Sequence, residues 1–132
     1  MPRARKTRHK EHTLRSGFEK KVASNLDARK VKFTYEEEKI KYEIPASTHV
    51  YTPDFLLPNG VYIEAKGKFD VDSRKKMELI FKQHPDLDIR MLFMRNNFIQ
   101  KTSKTRYSDW CEKRGVMYHV SPDGVVPDEW LV

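Results

Sequence analysis

Apolar residues recur at every fourth position near the start of the chain, at Leu14, Phe18, Val22 and Leu26. This spacing places them on one side of a helix, so it predicts an amphipathic helix that buries that side. Ser16 and Glu19 match a capping box, in which each side chain accepts a hydrogen bond from the backbone N–H of the other residue. We therefore expect the helix to begin at Ser16 and to end near Lys30.

Alternating apolar and polar residues predict the strands that follow, over residues 31–35, 39–44, 50–57 and 61–66. A nearly continuous apolar run predicts a strand over 89–94 that is buried on both faces, and a short strand is expected over 116–120.

Two further helices are expected over residues 72–84 and 105–114, ended by Pro85 and Gly115 respectively. The first of them joins the strand over 61–66 to the next strand, so these two strands should be parallel. The pattern predicts an α/β fold with one mixed sheet, in the order α-β-β-β-α-β followed by a small appendage.

The segment over residues 51–66, YTPDFLLPNGVYIEAK, predicts a hairpin with two possible registers. A two-residue loop at Asn59-Gly60 would mix apolar and charged groups on both faces. A three-residue loop from Pro58 to Gly60 sets Leu57 opposite Val61 and separates the faces, so burial should select it. The apolar face then holds Phe55, Leu57, Val61, Ile63 and Ala65, and the polar face holds Thr52, Asp54, Glu64 and Lys66.

The second register sets Asp54 directly opposite Glu64, where two like charges destabilise a sheet. A shared divalent cation such as Mg²⁺ would remove the conflict, because carboxylate oxygens are its usual ligands. Lys66 follows on the same face and could hold a water or a phosphate oxygen beside the metal. The pattern indicates phosphodiester hydrolysis. The alternative is that these residues only form a solvated strand face.

Glu19 also allows two interpretations. As the fourth residue of Ser16-Gly17-Phe18-Glu19, it can serve only to cap the first helix. It can instead be a third carboxylate at the same site, which would help to bind a second metal ion.

Composition adds a basic arm to this picture. The net charge is +7, and residues 1–15 contain six Lys or Arg and one Glu, which leaves only +2 for the rest. Residues 1–12 lack apolar periodicity, so we expect a disordered arm attached to a single domain over residues 13–132. The candidate phosphate contacts in this region are Arg3, Arg5, Lys6, Arg8, Lys10 and Arg15.

Other features of the composition exclude several classes of protein. The single cysteine, Cys111, excludes an internal disulfide and a cysteine-based zinc cluster. No apolar run is long enough to span a bilayer, and no hydrophobic segment follows the basic start. We therefore expect neither a membrane protein nor a secretory signal but a cytoplasmic protein.

A second group of basic residues, Arg74, Lys75 and Lys76, opens the second predicted helix. These residues either contact DNA or form a solvated helix face.

The hairpin resembles the PD-(D/E)xK signature of the restriction-endonuclease-like nucleases, and longer segments resemble endonuclease I of the T-seven-like podophages. These segments are RSGFEKKV (15–22), KYEIPASTHVYTPDFLLPNGVYIEAKG (41–67), RKKMELI (74–80), QHPDLDIR (83–90) and VPDEW (126–130). The resemblance implies a restriction-endonuclease-like core and a nuclease that resolves four-way (Holliday) junctions and other branched DNA, using Mg²⁺ or Mn²⁺. A phage-encoded protein of this kind would act in the host cell cytoplasm.

The resemblance also implies the site and the assembly. It assigns catalysis to Glu19, Asp54, Glu64 and Lys66, with Asp54, Glu64, Glu19 and the Ala65 carbonyl as ligands for one or two metal ions. It implies an intertwined, domain-swapped homodimer bridged near residues 45–49, in which Glu19 comes from the partner subunit. Relatives carry a basic C-terminal extension that this chain does not show, so the N-terminal arm is expected to contribute more to DNA binding.

Two rivals remain open at this stage. One is a nuclease of the same fold that acts on another DNA substrate, such as mismatched duplex or a restriction site. The other is a basic DNA-binding protein without catalytic activity.

Overall fold

The structure is a computed structural model, and it describes residues 16–44 and 47–132. Three helices and a short 3-10 helix lie in this part of the chain: α1 (Gly17–Ala28), α2 (Val71–Gln83), α3 (Tyr107–Arg114) and the 3-10 helix Asp128–Trp130. The strands are β1 (Thr34–Tyr35), β2 (Ile40–Ile44), β3 (Ser47–Tyr51), β4 (Phe55–Leu56), β5 (Tyr62–Lys66), β6 (Ile89–Phe93) and β7 (Tyr118–Val120). The predicted mixed α/β architecture is confirmed.

Five of the strands form a mixed sheet in the spatial order β1-β4-β5-β6-β7. β1, β4 and β5 pair antiparallel, whereas β5, β6 and β7 pair parallel. The parallel pairing of β5 with β6 across the α2 connection confirms the prediction made from the length of that connection.

The β4–β5 hairpin has the three-residue loop predicted from its apolar face. Phe55 lies opposite Ile63, and the N–H of Leu57 donates to the carbonyl of Val61 at 2.9 Å. Gly60 closes the loop at φ +89°, a left-handed conformation that favours glycine. The apolar residues of both arms join one buried core, so burial fixes the register as argued.

The prediction of a single sheet is wrong. β2 and β3 pair with each other in a separate two-stranded sheet, with Ile44 opposite Ser47. The strand predicted over 50–57 is split between the two sheets, because Pro53 lacks the N–H that an uninterrupted ladder needs. The hairpin packs on α2, where the side-chain amide of Gln83 accepts from the N–H and donates to the carbonyl of Glu43, at 2.5 and 2.6 Å.

Helix α1 begins where the sequence predicted, since the Ser16 hydroxyl accepts from the N–H of Glu19 at 3.0 Å. It ends at Ala28, earlier than expected, and Lys30 turns the chain at φ +58°. The C-terminal segment secures this helix, because the N–H of Val126 donates to the Asn25 side chain at 3.0 Å.

The mixed sheet separates two buried apolar clusters. One contains the inner face of α1, the apolar face of the β4–β5 hairpin and the C-terminal segment. The other contains the inner faces of α2 and α3, part of β6 and the β2–β3 hairpin. The site residues of β5 lie on the side of the second cluster, and α1 approaches from the first.

Two predictions fall on residues outside those described. They are the disordered state of the arm over 1–12 with Arg15, and the first part of the bridge, Pro45 and Ala46. Among residues 16–44 and 47–132, no helix has both the length and the apolar character needed to cross a membrane.

Candidate active site

Two acidic side chains lie buried at two adjoining strands of the mixed sheet. Asp54 immediately precedes β4, and Glu64 is in the middle of β5. The pairing of Phe55 with Ile63 sets the two acids opposite each other, as the sequence predicted. They are 6% and 5% exposed, which is unusual for carboxylates unless charge or hydrogen bonds compensate for the lost water.

The backbone of β5 fixes the Asp54 carboxylate. Its Oδ2 accepts a hydrogen bond of 2.9 Å from the N–H of Ala65. Burial raises the pKa of Asp54 well above its usual value, and repulsion from Glu64 and Glu19 raises it further. The bond from Ala65 and the charge of Lys66 act in the opposite direction but are weaker. The surroundings of Asp54 therefore disfavour its negative charge.

Glu64 is held by two partners on opposite oxygens. The Tyr51 hydroxyl donates to Oε1 at 2.6 Å, and the Lys66 ammonium lies 3.4 Å from Oε2. Burial raises the pKa of Glu64, while the positive charge of Lys66 and the bond from Tyr51 lower it in part. The Lys66 side chain remains 27% exposed, so it lies between the buried Glu64 carboxylate and solvent.

Lys76 brings a second cation from helix α2. Its Nζ lies 5.3 Å from the centre of the Tyr51 ring, within the range of a cation–π contact. Its charge also lowers the pKa of Glu64, although less than Lys66 and Tyr51 do. Lys76 thus lies beside the acidic residues and not on a remote helix face.

Three acidic groups come within metal-binding distance of one another. Glu19, Glu36 and Asp54 each offer an oxygen within 4.8 Å of the other two, in the part of the chain that the structure describes. Glu64 is outside this set, because its carboxylate is turned toward Tyr51 and Lys66. The structure therefore places three acidic side chains around Asp54, with Glu19 and Glu36 on one side and Glu64 opposite it on β5.

Glu19 lies both at the capped start of α1 and beside Asp54. Its backbone N–H is capped by Ser16, and its carboxylate reaches Asp54 and accepts a hydrogen bond from the Tyr35 hydroxyl. Burial and the contact with Glu19 raise the pKa of Tyr35, which stays protonated as a donor. The single chain thus brings Glu19 to Asp54 within one protomer.

Sequence reasoning missed Glu36, which lies between two predicted strands and was not considered as a site residue. Its backbone lies at φ +52°, and its N–H donates to the carbonyl of Asp54 at 3.2 Å. A three-residue acidic run directly after a predicted strand gave a weak signal, but it did not show which of the three side chains turns inward.

The candidate DNA contacts of helix α2 have different surroundings. Arg74 is buried, and its Nη1 donates to the carbonyls of Phe69 and Ile99 at 2.7 and 3.2 Å. The expectation that Arg74 contacts DNA is therefore corrected, because its guanidinium binds the backbone inside the domain. Lys75 is exposed and Lys76 is half-buried, so both remain candidates.

Comparison with known proteins assigns the chain to a family. The family model of phage endonuclease I matches residues 1–132. The chain belongs to the phage endonuclease I family. All of the acidic and lysine residues described above lie inside the matched range.

Two curated relatives are phage nucleases by name. The chain is 49% identical to endonuclease I of Escherichia phage T7 over 119 residues, which cover 89% of this chain and 78% of the relative. It is 52% identical to endodeoxyribonuclease 1 of Enterobacteria phage T3 over 106 residues, which cover 80% and 70%. The resemblance found from the sequence segments is thereby confirmed.

Proposed function

We propose that this chain is a divalent-metal-dependent endonuclease that hydrolyses phosphodiester bonds in branched DNA, four-way (Holliday) junctions above all. The buried pair of Asp54 and Glu64, with Lys66 beside it, is the observation that carries the proposal. The names of the family and of the T3 relative support DNA cleavage.

A divalent cation fits the donor set. Asp54 carries an unfavourable charge because it is buried near Glu64 and Glu19, and a bound cation would offset that charge. Carboxylate and carbonyl oxygens are the ligands that Mg²⁺ and Mn²⁺ prefer. The residues that would hold one or two such ions are Asp54, Glu64, Glu19, Glu36 and the carbonyl oxygen of Ala65. When bound, Mg²⁺ or Mn²⁺ lowers the pKa of water and neutralises charge on the phosphate.

The chain's own residues hold the acids and handle protons. The N–H of Ala65 orients Asp54, and the Tyr51 hydroxyl orients Glu64. Lys66 lies on the exposed side of Glu64, where its ammonium can position the attacking water or stabilise negative charge on the phosphate in the transition state. Both roles agree with its position.

Branch shape is the feature of DNA that this chain is best suited to read. The sequence shows no base-reading motif, and its positive charge is concentrated in residues 1–15. Exposed Lys75 and half-buried Lys76 extend basic charge from the site along α2. We assign phosphate contacts to these lysines and to the basic residues of the arm.

We propose a domain-swapped homodimer as the working assembly. Exchange of the segment before the bridge, residues 16–44, would carry Glu19 and Glu36 to the partner and leave Asp54, Glu64 and Lys66 behind. Domain swapping replaces contacts within a chain by the same contacts between chains. The site seen in one chain would then form twice in the dimer, each time from both subunits.

Cleavage of a labelled synthetic four-way junction tests the activity. We expect cutting with Mg²⁺ and none in its absence, slower cutting of linear and mismatched duplexes, and no cutting by Glu64→Gln although it still binds the junction. Equal cutting of linear or mismatched duplex would instead favour a nuclease of the same fold with another substrate. Junction binding without cutting in Mg²⁺ or Mn²⁺ would show a non-catalytic DNA-binding protein.

Complementation tests the exchange. A co-expressed mixture of Glu19→Gln and Asp54→Asn chains should regain activity, because a mixed swapped dimer contains one site in which both residues are intact. If each variant alone is inactive and the mixture is equally inactive, the exchange is contradicted. Without exchange, each site takes both residues from one chain and therefore always carries one of the two substitutions.

A further inference from the structure

A groove of about 620 Å³ lies next to the candidate active site, between the segment that leaves β5 and the loop before α3. Lys68 and Val71 line one wall, Phe98 and Lys101 line the other, and all four are exposed. Fully buried Phe69 forms the floor. The lining therefore combines apolar surface with exposed positive charge.

Hydrogen bonds across the floor hold the two walls together. The Arg74 guanidinium donates to the carbonyl of Phe69 on one side and to that of Ile99 on the other. The hydroxyl of Tyr107 accepts from the N–H of Phe69 at 3.1 Å. These bonds tie both walls to buried groups, so the groove is preformed.

Phe98 presents an aromatic ring at the rim. It is 46% exposed, although most aromatic side chains of the described chain are buried. The Arg106 guanidinium lies 4.1 Å from the ring centre and donates to the carbonyl of Asn96 at 2.8 Å. The Arg106 guanidinium, which is held by the Asn96 carbonyl, thus contacts the Phe98 ring. The exposed part of the ring remains accessible to a partner from solvent.

The groove is continuous with the catalytic strand. Lys68 follows Lys66 by two residues, so their Cα atoms are at most about 7 Å apart. A DNA strand with one phosphate at Lys66 would therefore place a neighbouring phosphate near Lys68. Asp70 is the acidic residue among those that line the groove, and its carboxylate accepts from the N–H of Ser73 as the cap of α2.

We propose that this groove binds an unpaired nucleotide of the DNA strand that is cut. Lys68 and Lys101 contact its phosphates, and Phe98 stacks on its base. A base inside a duplex has both faces covered by its neighbours, whereas an unpaired base at a branch has a free face for an aromatic ring. The proposal rests on the proposed nuclease function and adds a reason for preferring branches that contain unpaired nucleotides.

Substitutions of Phe98 test the stacking. The probes are a synthetic four-way junction with two unpaired thymidines at the branch and a fully paired junction, both bound in EDTA so that neither is cut. Phe98→Ala and Phe98→Leu should weaken binding of the unpaired junction about tenfold and affect the paired one less. Phe98→Trp should restore binding. Met117→Ala, at a 51% exposed apolar position away from the groove, is the matched control.

The outcomes separate this proposal from the nuclease function. If Phe98→Ala binds like Met117→Ala, or Phe98→Leu binds like wild type, the groove does not stack a base and the proposal is overturned while junction cutting stands. If wild type fails to cut any junction in Mg²⁺, the nuclease function fails instead. The double change Lys68→Ala and Lys101→Ala should reduce the log–log salt slope by about 1.4 on single-stranded DNA, and an unchanged slope would overturn the phosphate contacts.

Discussion

The hydroxyl of Tyr51 donates a 2.6 Å hydrogen bond to Oε1 of Glu64 inside the domain. Tyr51 is fully buried, and burial next to Glu64 raises its pKa, so it remains a donor throughout the physiological range. The contact joins the small β2–β3 sheet to strand β5. Glu64 is therefore oriented by an element that contributes no predicted catalytic residue.

Tyr51→Phe should slow cleavage and change its pH dependence. The hydroxyl lowers the pKa of Glu64, so its removal should raise that pKa and move the acid limb of the pH–rate profile to higher pH. Lys66 and Lys76, whose positive charges also lower this pKa, stay in place. A hydrogen bond to a charged group contributes about 1.5–3 kcal/mol, so we expect a loss of about ten- to a hundredfold at neutral pH.

Tyr42→Phe provides the control for that experiment. Tyr42 is buried in the same apolar cluster but belongs to β2, and among the described residues the hydroxyl that donates to Glu64 is that of Tyr51. Equal losses in the two variants, or an acid limb that does not move in Tyr51→Phe, would show that the hydroxyl does not orient the acid.

Asp54→Asn should stabilise the metal-free protein while it abolishes cleavage. Folding raises the pKa of Asp54, so the folded chain binds its proton more tightly than the unfolded chain. This tighter proton binding stabilises the fold when the pH is below the pKa of Asp54 in the unfolded chain. The stabilisation is lost as the pH rises through the pKa of Asp54 in the folded chain. At pH 7 to 8 the asparagine should raise the free energy of unfolding by on the order of 1–3 kcal/mol, and the gain should disappear in acid.

Asp88→Asn is the matched control, because its expected effect on stability has the opposite sign from that of Asp54→Asn. The hydrogen bonds from Arg90 lower the pKa of Asp88, so this carboxylate stabilises the fold above its unfolded pKa and loses that effect as the pH falls. Thermal unfolding of both variants in EDTA from pH 3 to 8 checks the prediction. A destabilised Asp54→Asn at neutral pH would contradict the unfavourable charge assigned to this site.

Glu36→Gln should weaken metal binding, while the variant protein still folds. Its carboxylate lies within 4.8 Å of those of Glu19 and Asp54. Titration of the wild type with Mg²⁺ or Mn²⁺ should raise the melting temperature, because a ligand that binds only the folded state stabilises it. In Glu36→Gln the same rise should need about tenfold more metal, the size of effect that supporting groups at metal sites commonly have.

Glu37→Gln is the neighbouring control, since this exposed residue lies outside the three-acid group. If both glutamines shift the titration equally, the effect comes from net charge and not from coordination. If neither does, Glu36 does not take part in metal binding.

The sequence predicted the β4–β5 hairpin correctly because a slip of one residue would exchange its apolar and polar faces. The same reasoning could not find Tyr51, since the break at Pro53 places Tyr51 in a different sheet from β4, the strand that follows Asp54. Arg74 was assigned to DNA because a helix pattern shows charge and spacing, while the carbonyls of Phe69 and Ile99 that bind it become neighbours only in the fold.

Gly124→Ala should destabilise the domain and so disturb the position of α1. Gly124 lies at φ +76°, and a Cβ built there would come within 2.9 Å of Lys21 Cβ and 3.0 Å of the Val22 backbone nitrogen. Both the left-handed backbone and the close approach oppose a side chain, and we expect a loss of about 1–3 kcal/mol. Gly17→Ala is the control, because a Cβ there meets nothing within 4 Å and alanine favours a helix.

Chemical denaturation of the two alanine variants measures the difference. A Gly124→Ala protein as stable as wild type would show that the C-terminal segment can move away from α1 at no cost. In that case the packing of this segment would not hold Glu19 in place.

Removal of residues 1–12 should weaken junction binding and reduce its dependence on salt. The deleted segment contains five Lys or Arg, and each phosphate contact contributes about 0.9 to the log–log salt slope on duplex DNA, so the slope should fall by up to about 4.5. Lys75→Ala, which removes one exposed charge from α2, should lower it by no more than about 0.9. Cleavage at saturating enzyme should be retained, because Asp54, Glu64 and Lys66 lie outside the deletion. A slope that does not change would exclude the arm from the DNA interface.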